Sequence, residues 1–249
     1  MLTQERHNAI LQLLNEKSSI TVAELSEYLN TSESTIRRDL NSLDNLGKLH
    51  KVFGGATSIR QNTIEDVNTM NLKSKLNIKE KNIIGKYAAT AINNNDFIYI
   101  DAGTTTSIFI DYIENKNATY FTNGVVHAKK LAQKGFKVYV IGGQLKLSTE
   151  ALIGTESLTS LKKYNFTKCF LGTNGIDKTA GFTTIDIEEA LVKTEAIKKS
   201  YVSFILADHT KFDKVLPVTF GEISKSCIIT DKLTNKEYSE LTAVKEVLS

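Results

Sequence analysis

Two groups of residues in this sequence have the types and spacing to do chemistry. The first begins where the β-branched apolar run over 97–100 ends, with Asp101, Ala102 and Gly103, then Thr104, Thr105 and Thr106. A strand that stops at a glycine turn and passes through hydroxyls into helix-like spacing offers main-chain N–H groups at a helix start, where a phosphate binds. Comparable loops follow later apolar runs: Thr122-Asn123-Gly124, Gly142-Gly143, Gly172-Thr173-Asn174-Gly175 and Asp208-His209-Thr210-Lys211. A glycine turn after a strand is usually structural, so the weight lies on the set. Hydroxyls, an amide, carboxylates and a lysine together suit a sugar phosphate. No GxGxxG and no GxxxxGKS/T occurs, which argues against dinucleotides and nucleoside triphosphates.

The second group lies near the start of the chain. Ser34, Thr35, Arg37, Arg38 and Asn41 fall opposite an Ile36/Leu40/Leu43 stripe at helical spacing. Small donors at a helix N-terminus suit DNA phosphates, and Arg and Asn suit base edges in a major groove. Lys48, His50 and Lys51 follow in a basic ribbon with a Gly54-Gly55 turn. Charge is polarised accordingly. Residues 1–33 set Arg6 and Lys17 against Glu5, Glu16, Glu24, Glu27 and Glu33, a balance of −3. Residues 34–60 set Arg37, Arg38, Lys48, Lys51 and Arg60 against Asp39 and Asp44, a balance of +3. A basic cluster on one element is the footprint of nucleic-acid binding.

The elements that must position these groups can be read from periodicity. Ile10, Leu13 and Leu14 give a first helix from near Thr3. Thr21 and Glu24 form a capping box for a second that buries Val22, Leu25 and Leu29. Ser32 caps a third, carrying Ile36, Leu40, Leu43 and Leu46, and Gly47 ends it in the left-handed region. With the ribbon this is a winged helix-turn-helix DNA-binding domain over 1–59. A polar linker follows over 60–72, then an α/β domain over 73–249 that opens with a helix carrying Ile83, Ile84, Tyr87, Ala88 and Ala91. Strands are expected at 97–101, 119–123, 137–143, 168–175, 202–208 and 226–230. Their near-continuous apolar character implies burial on both faces, and their alternation with helices implies a mostly parallel, Rossmann-like sheet. Ligands bind such sheets beyond the carboxyl ends of strands, where the first group lies.

The chain has 249 residues, 41% hydrophobic and 24% charged, with a net charge of +3. No apolar run approaches the ~18–20 residues of a membrane span, and the charged N-terminus is unlike a signal peptide, so a cytoplasmic protein without a membrane partner is expected. Cys169 and Cys227 sit in strand-like runs and read as buried small hydrophobes. The four histidines show no metal-ligand spacing, and neither a metal nor a cofactor is expected. His127 reads as a helix-surface residue, His209 as a weaker candidate for ligand contact, and Glu188, Glu189 and Lys193 as a solvated helix face.

The stretch SESTIRRDLNSLDNLGKLHKVFGGA resembles the N-terminal signature of the DeoR family of bacterial transcriptional regulators. The resemblance implies that Thr35, Arg37 and Arg38 enter the operator. It extends over nearly the whole chain through DAGTTT, TNG, ALIG, GTNGID, GFTTIDIEEALVKTEAI and ADHTKF, which are similar to successive motifs of that family's sensor domain. The resemblance implies a fold similar to ribose-5-phosphate isomerase and a phosphorylated sugar as effector. It places Asp101, Gly103, Thr104, Thr105 and Thr106 on the phosphate side, with Asn123, Lys193, Asp208 and Lys211 completing the pocket. Ile185 stands where the family usually has proline, and Ala196 where it has methionine. TNGVVHA and GGQLKLSTEALIG are most similar to fructose-operon repressors, which implies fructose 1-phosphate. The isomerases carry a motif resembling DGADE at the strand end where this chain has GTNGID, with Asn174 and Gly175 in place of acids. A sugar-phosphate isomerase with an appended DNA-binding domain is therefore the alternative. The expected protein is a repressor, not an enzyme, whose partners are double-stranded operator DNA, a phosphorylated sugar and further copies of itself in a homodimer or higher oligomer.

Overall fold

The computed structural model of the chain describes residues 3–17, 19–58 and 70–247. It divides into two compact units, Met1–Asp66 and Val67–Ser249. Of the linker expected over 60–72, residues 60–69 lie outside the described residues, and 70–72 open a helix. Among the described residues no helix is long and apolar enough to cross a membrane.

In the first unit, α1 (Thr3–Lys17) buries Ile10, Leu13 and Leu14. A short strand β1 (Ser19–Thr21) leads into α2 (Val22–Tyr28), where the Thr21 side chain accepts from the Glu24 amide and the Glu24 carboxylate accepts from the Thr21 amide. The Ser32 side chain likewise caps α3 (Glu33–Asn45), and Gly47 adopts φ 63° just beyond it. β2 (Leu49–Val52) and β3 (Gly55–Ser58) form the expected antiparallel ribbon, and β1 adds a third strand along β3. Only Ile20 of β1 is buried, so three residues carry no periodic signal. A Cβ at Gly55 would lie 2.4 Å from the Ile20 carbonyl oxygen, so this close strand approach requires glycine. One member of the expected stripe is displaced. Leu46, at the C-cap of α3, is 62% exposed because the helix ends before the stripe returns inward.

The second unit opens with α4 (Met70–Lys75), α5 (Ile78–Ala89), β4 (Phe97–Ile100), α6 (Thr104–Asp111), β5 (Thr119–Thr122), α7 (Val125–Gln133) and β6 (Lys137–Val140). A hairpin of β7 (Gln144–Lys146) and β8 (Ala151–Ile153) precedes α8 (Thr155–Leu161), β9 (Phe166–Gly172), β10 (Gly175–Asp177) and β11 (Gly181–Thr184). The rest is α9 (Ile187–Lys198), β12 (Ser200–Leu206), β13 (Val218–Gly221), β14 (Cys227–Thr230), α10 (Tyr238–Leu241) and β15 (Val244–Glu246). Seven strands form one sheet in the order β15-β14-β12-β9-β4-β5-β6, every pair parallel. β10, β11 and β13 form a separate antiparallel sheet.

Successive strand residues alternate between two cores. Tyr99, Phe121, Cys169, Leu171, Ile205 and Ile228 pack with Leu161 of α8 and Ala190 and Ala196 of α9. Ile98, Ile100, Tyr120, Phe170, Leu206 and Ile229 pack with Ile84 of α5, Phe109 of α6 and Leu131 of α7. A period of two with both faces covered makes a three-layer α/β/α sandwich. β6 departs from the expected two-sided burial: as the outermost strand it leaves Tyr139 and Val140 exposed. Cys169 is buried, Cys227 is half-buried, and neither is in a disulfide.

Candidate functional site

The chain leaves β4 toward β5 and β6 on one side, then returns to place β9, β12, β14 and β15 on the other. Strand order therefore reverses between β4 and β9, and a crevice opens at the carboxyl ends of two strands whose connections diverge. A cavity of about 250 Å³ lies there. Asp101, Gly103, Thr104 and Thr105 line it from the turn after β4, and Gly172, Thr173 and Asn174 from the turn after β9. Glu189 and Lys193 of α9 and Asp208, Thr210 and Lys211 after β12 complete the expected side. Of the nine residues expected to bind effector, Asp101, Gly103, Thr104, Thr105, Lys193, Asp208 and Lys211 meet at this cavity.

Thr106 and Asn123 do not line it, and they hold the turn in shape. The Ala102 amide donates to Asn123 Oδ1 at 3.0 Å, and Asn123 Nδ2 donates to the Leu152 carbonyl at 3.1 Å, which commits both ends of a buried amide. Thr106 Oγ1 lies 2.6 Å from the Asp101 carbonyl oxygen and 3.0 Å from His127 Nε2, and its side chain is fully buried. His127 is buried as well, contrary to the surface position expected for it, because α7 turns that face onto the start of α6. The Gly103 amide donates to His127 Nε2 at 3.3 Å, and burial pushes the imidazole pKa down to about 4, so the ring is neutral with its proton on Nδ1. Gly124 leaves room for this ring, since a Cβ there would lie 2.8 Å from Nδ1.

So braced, α6 starts at Gly103 in extended backbone without a side-chain cap, and the N-terminal turn of an eight-residue helix faces the cavity through Thr104 and Thr105. Uncapped N–H groups and the positive end of the helix dipole both favour an anion there. Lys193 Nζ contacts Asp101 Oδ2 and donates to the Gly172 carbonyl at 3.0 Å, tying α9 to both strand ends. It is thus a buried ion-pair partner, where a solvated helix face was expected. Burial outweighs this lysine and raises the Asp101 pKa. Glu189 is engaged as well, accepting from Lys146 Nζ at 2.9 Å and Thr149 Oγ1 at 2.8 Å. Asp208 Oδ1 accepts from Asn77 at 3.1 Å and from the Thr210 amide at 3.0 Å, whereas its buried Oδ2 has no hydrogen-bond partner. His209 is held by Asp231 at 2.7 Å and is absent from the cavity lining.

Lys73, Asn77, Lys81 and Lys214 also line the cavity. Sequence reasoning passed over them because they lie in polar stretches away from the glycine turns. With Lys193 and Lys211 they bring five lysines against the carboxylates of Asp101, Glu189 and Asp208. Burial and the neighbouring Lys211 hold the Lys81 and Lys214 pKa values below the ordinary one, with Asp208 opposing in each case. The cavity is electropositive and shaped for an anion.

In the first unit, Ser34, Arg37, Arg38 and Asn41 are exposed along one face of α3, with Thr35 half-buried beside them. His50 and Lys51 are exposed on the ribbon. Lys51 Nζ donates to Asn41 Oδ1 at 2.7 Å, and the Lys51 amide donates to Asp44 Oδ1 at 3.0 Å, so the ribbon is fixed to the helix it flanks. Arg37 pairs with Glu33 one turn earlier at 2.8 Å. Asp39 points the other way: Arg6 donates to it at 2.5 and 3.1 Å, and His7 Nε2 lies 3.1 Å away. Burial opposes the Asp39 charge, but the Arg6 and His7 hydrogen bonds prevail and hold its pKa below the ordinary value.

Residues 6–62 match the family described as DeoR-like helix-turn-helix domain, and residues 76–232 match the DeoR C terminal sensor domain. A Bacillus subtilis protein named "Uncharacterized HTH-type transcriptional regulator FruR" is 41% identical over 251 residues, covering 99% of each chain. The lactose phosphotransferase system repressor of Staphylococcus aureus is 33% identical over 96% of each chain. Among solved structures, ribose 5-phosphate isomerase A from Methanocaldococcus jannaschii aligns with 55% of each chain at TM-score 0.41 and 14% identity, a likeness that bears on no chemical claim.

Proposed function

Because the chain belongs to the DeoR family of transcriptional regulators, we propose that it is a repressor of a sugar-utilisation operon, released from its operator by a phosphorylated sugar. The observation that carries the effector assignment is the cavity at the strand-order reversal, with an uncapped helix start on one wall and lysines in excess of carboxylates by two. A phosphomonoester carries about −1.5 to −2 charge near neutral pH, which matches that excess. The phosphate lies against the Thr104 and Thr105 amides, and the partnerless Asp208 Oδ2 accepts a sugar hydroxyl. Fructose 1-phosphate is the effector favoured by the resemblance of TNGVVHA and GGQLKLSTEALIG to fructose-operon repressors, and the relatives named for a lactose phosphotransferase system fit a phosphorylated sugar as signal. Ser34, Thr35, Arg37, Arg38 and Asn41 read the major groove while His50 and Lys51 contact the backbone. A homodimer or higher oligomer sets two α3 helices on a repeated operator. We take residues 1–59 as the DNA-binding domain, 60–72 as linker and 73–249 as sensor.

The site performs no chemistry on its ligand. Aldose–ketose isomerisation requires a carboxylate free to act as base over the substrate carbons. Asp101 is bound to Lys193, and Asp177 accepts from the Thr179 and Ala180 amides in a hairpin turn and is absent from the cavity lining. A thermal-shift panel of free and phosphorylated sugars tests the reading. Fructose 1-phosphate should stabilise the protein, by roughly 2.7 kcal/mol at about 100 times its Kd, and fructose should not. Equal stabilisation by both overturns the phosphate site, and turnover of any hit seen by NMR restores the isomerase.

A further inference from the structure

We propose that Lys73 is a ligand of the effector phosphate and couples occupancy of the cavity to the chain segment that leads to the DNA-binding unit. The inference rests on the phosphosugar reading of the cavity and adds to it a residue and a route. Lys73 belongs to α4, the first described element of the sensor unit after the connection, and it lines the same cavity as Thr104 and Thr105. The helix is also held from its main chain. Lys81 Nζ, on the buried side of α5, donates to the Lys73 carbonyl at 2.5 Å, and Lys81 lines the cavity too. The start of the sensor is thus joined to the site at two points, a side chain and a carbonyl. A ligand that draws on both lysines must change how α4 is held.

The charges around Lys73 show what an anion would do there. Lys211 from the turn after β12, Lys193 from α9 and Lys146 from β7 disfavour its charge, and Glu189 from α9 is the one carboxylate that favours it. Lys81 on α5 stands at its carbonyl, with Asp208 acting on Lys81. Burial first, then Lys211, pushes the Lys73 pKa down to about 8. A phosphate dianion beside the ammonium reverses the balance of charge, so binding near this pH takes up a proton on Lys73. As pH rises further, removing that proton weakens binding.

The experiment is calorimetric titration of the full chain with fructose 1-phosphate, in buffers of different ionisation enthalpy between about pH 7 and pH 9. Parallel titrations use Lys73→Met and Lys73→Arg, and operator release is measured for each. Wild type should take up a fraction of a proton near pH 8 and bind more weakly toward pH 9. Lys73→Met should bind about tenfold or more weakly at pH 7, consistent with loss of one charge-assisted contact, take up no proton, and leave operator bound at saturating effector. Lys73→Arg stays charged throughout this range, so it should keep the affinity and lose the pH dependence, which a purely structural role would not produce. Lys73→Met or Lys73→Arg that titrates like wild type, in affinity and in proton uptake, overturns the proposal alone. Wild type that binds no phosphorylated probe overturns the phosphosugar reading and this proposal with it.

Discussion

At the scale of single residues, three consecutive positions on α3 do two kinds of work. Arg37 and Arg38 are exposed, while Asp39 turns inward to Arg6 and His7 of α1. Helical geometry separates neighbours by about 100° around the axis, so adjacent residues need not share a face. The arginines were legible in the sequence as a groove-facing pair because the apolar stripe fixed which side was inward. The role of Asp39 was not, since its partners lie more than thirty residues earlier and only packing of α1 on α3 brings them near. Arg38→Ala should weaken specific operator binding by about 1–3 kcal/mol if the guanidinium reads a base. A footprint and affinity unchanged from wild type would remove Arg38 from the groove.

At the scale of elements, the phosphate turn is a property of β4, α6 and α7 together. The Asp101–Thr106 segment was legible from its strand, glycine and hydroxyl order, but its shape depends on Asn123 and His127 from the next strand–helix unit. Asn123 is a brace in the folded chain because its amide is spent on Ala102 and Leu152. The neutral, buried His127 has a stability consequence. Its folded pKa of about 4 lies below the ordinary 6.5, so its contribution is complete above 6.5 and is lost as pH falls toward 4. In that window the sensor unit should lose roughly 1.4 kcal/mol per pH unit from this group. Chemical denaturation of wild type and His127→Gln between these limits checks it. The variant, whatever its stability, should lack that part of the slope, and identical slopes would show that His127 does not titrate on unfolding.

At the scale of the whole molecule, repression and sensing must be linked through free energy. Release by an effector requires that the effector bind more weakly when operator is bound, and by the same factor as the operator is weakened. Couplings of this kind are typically about 1–3 kcal/mol, or about 5–150-fold. Titrating fructose 1-phosphate into the protein with and without saturating operator should show a decrease of that size. Equal affinities would mean that the cavity is not connected to DNA binding.

The sequence alone determined the winged helix-turn-helix, the alternating α/β architecture and the phosphate turn, because each is written in local signals. Those signals are apolar periodicity, a capping box at Thr21 and Glu24, and glycine where a chain must turn. Only the tertiary structure decided the membership of the site. The reversal of strand order between β4 and β9 brings residues separated by some seventy positions to one cavity. The fold of α4 and α5 adds Lys73 and Lys81 to that cavity from a stretch that reads only as polar. A lysine is ambiguous in sequence, since its usual place is in water. What makes these lysines anion ligands is burial beside other cations, which exists only once distant segments have packed.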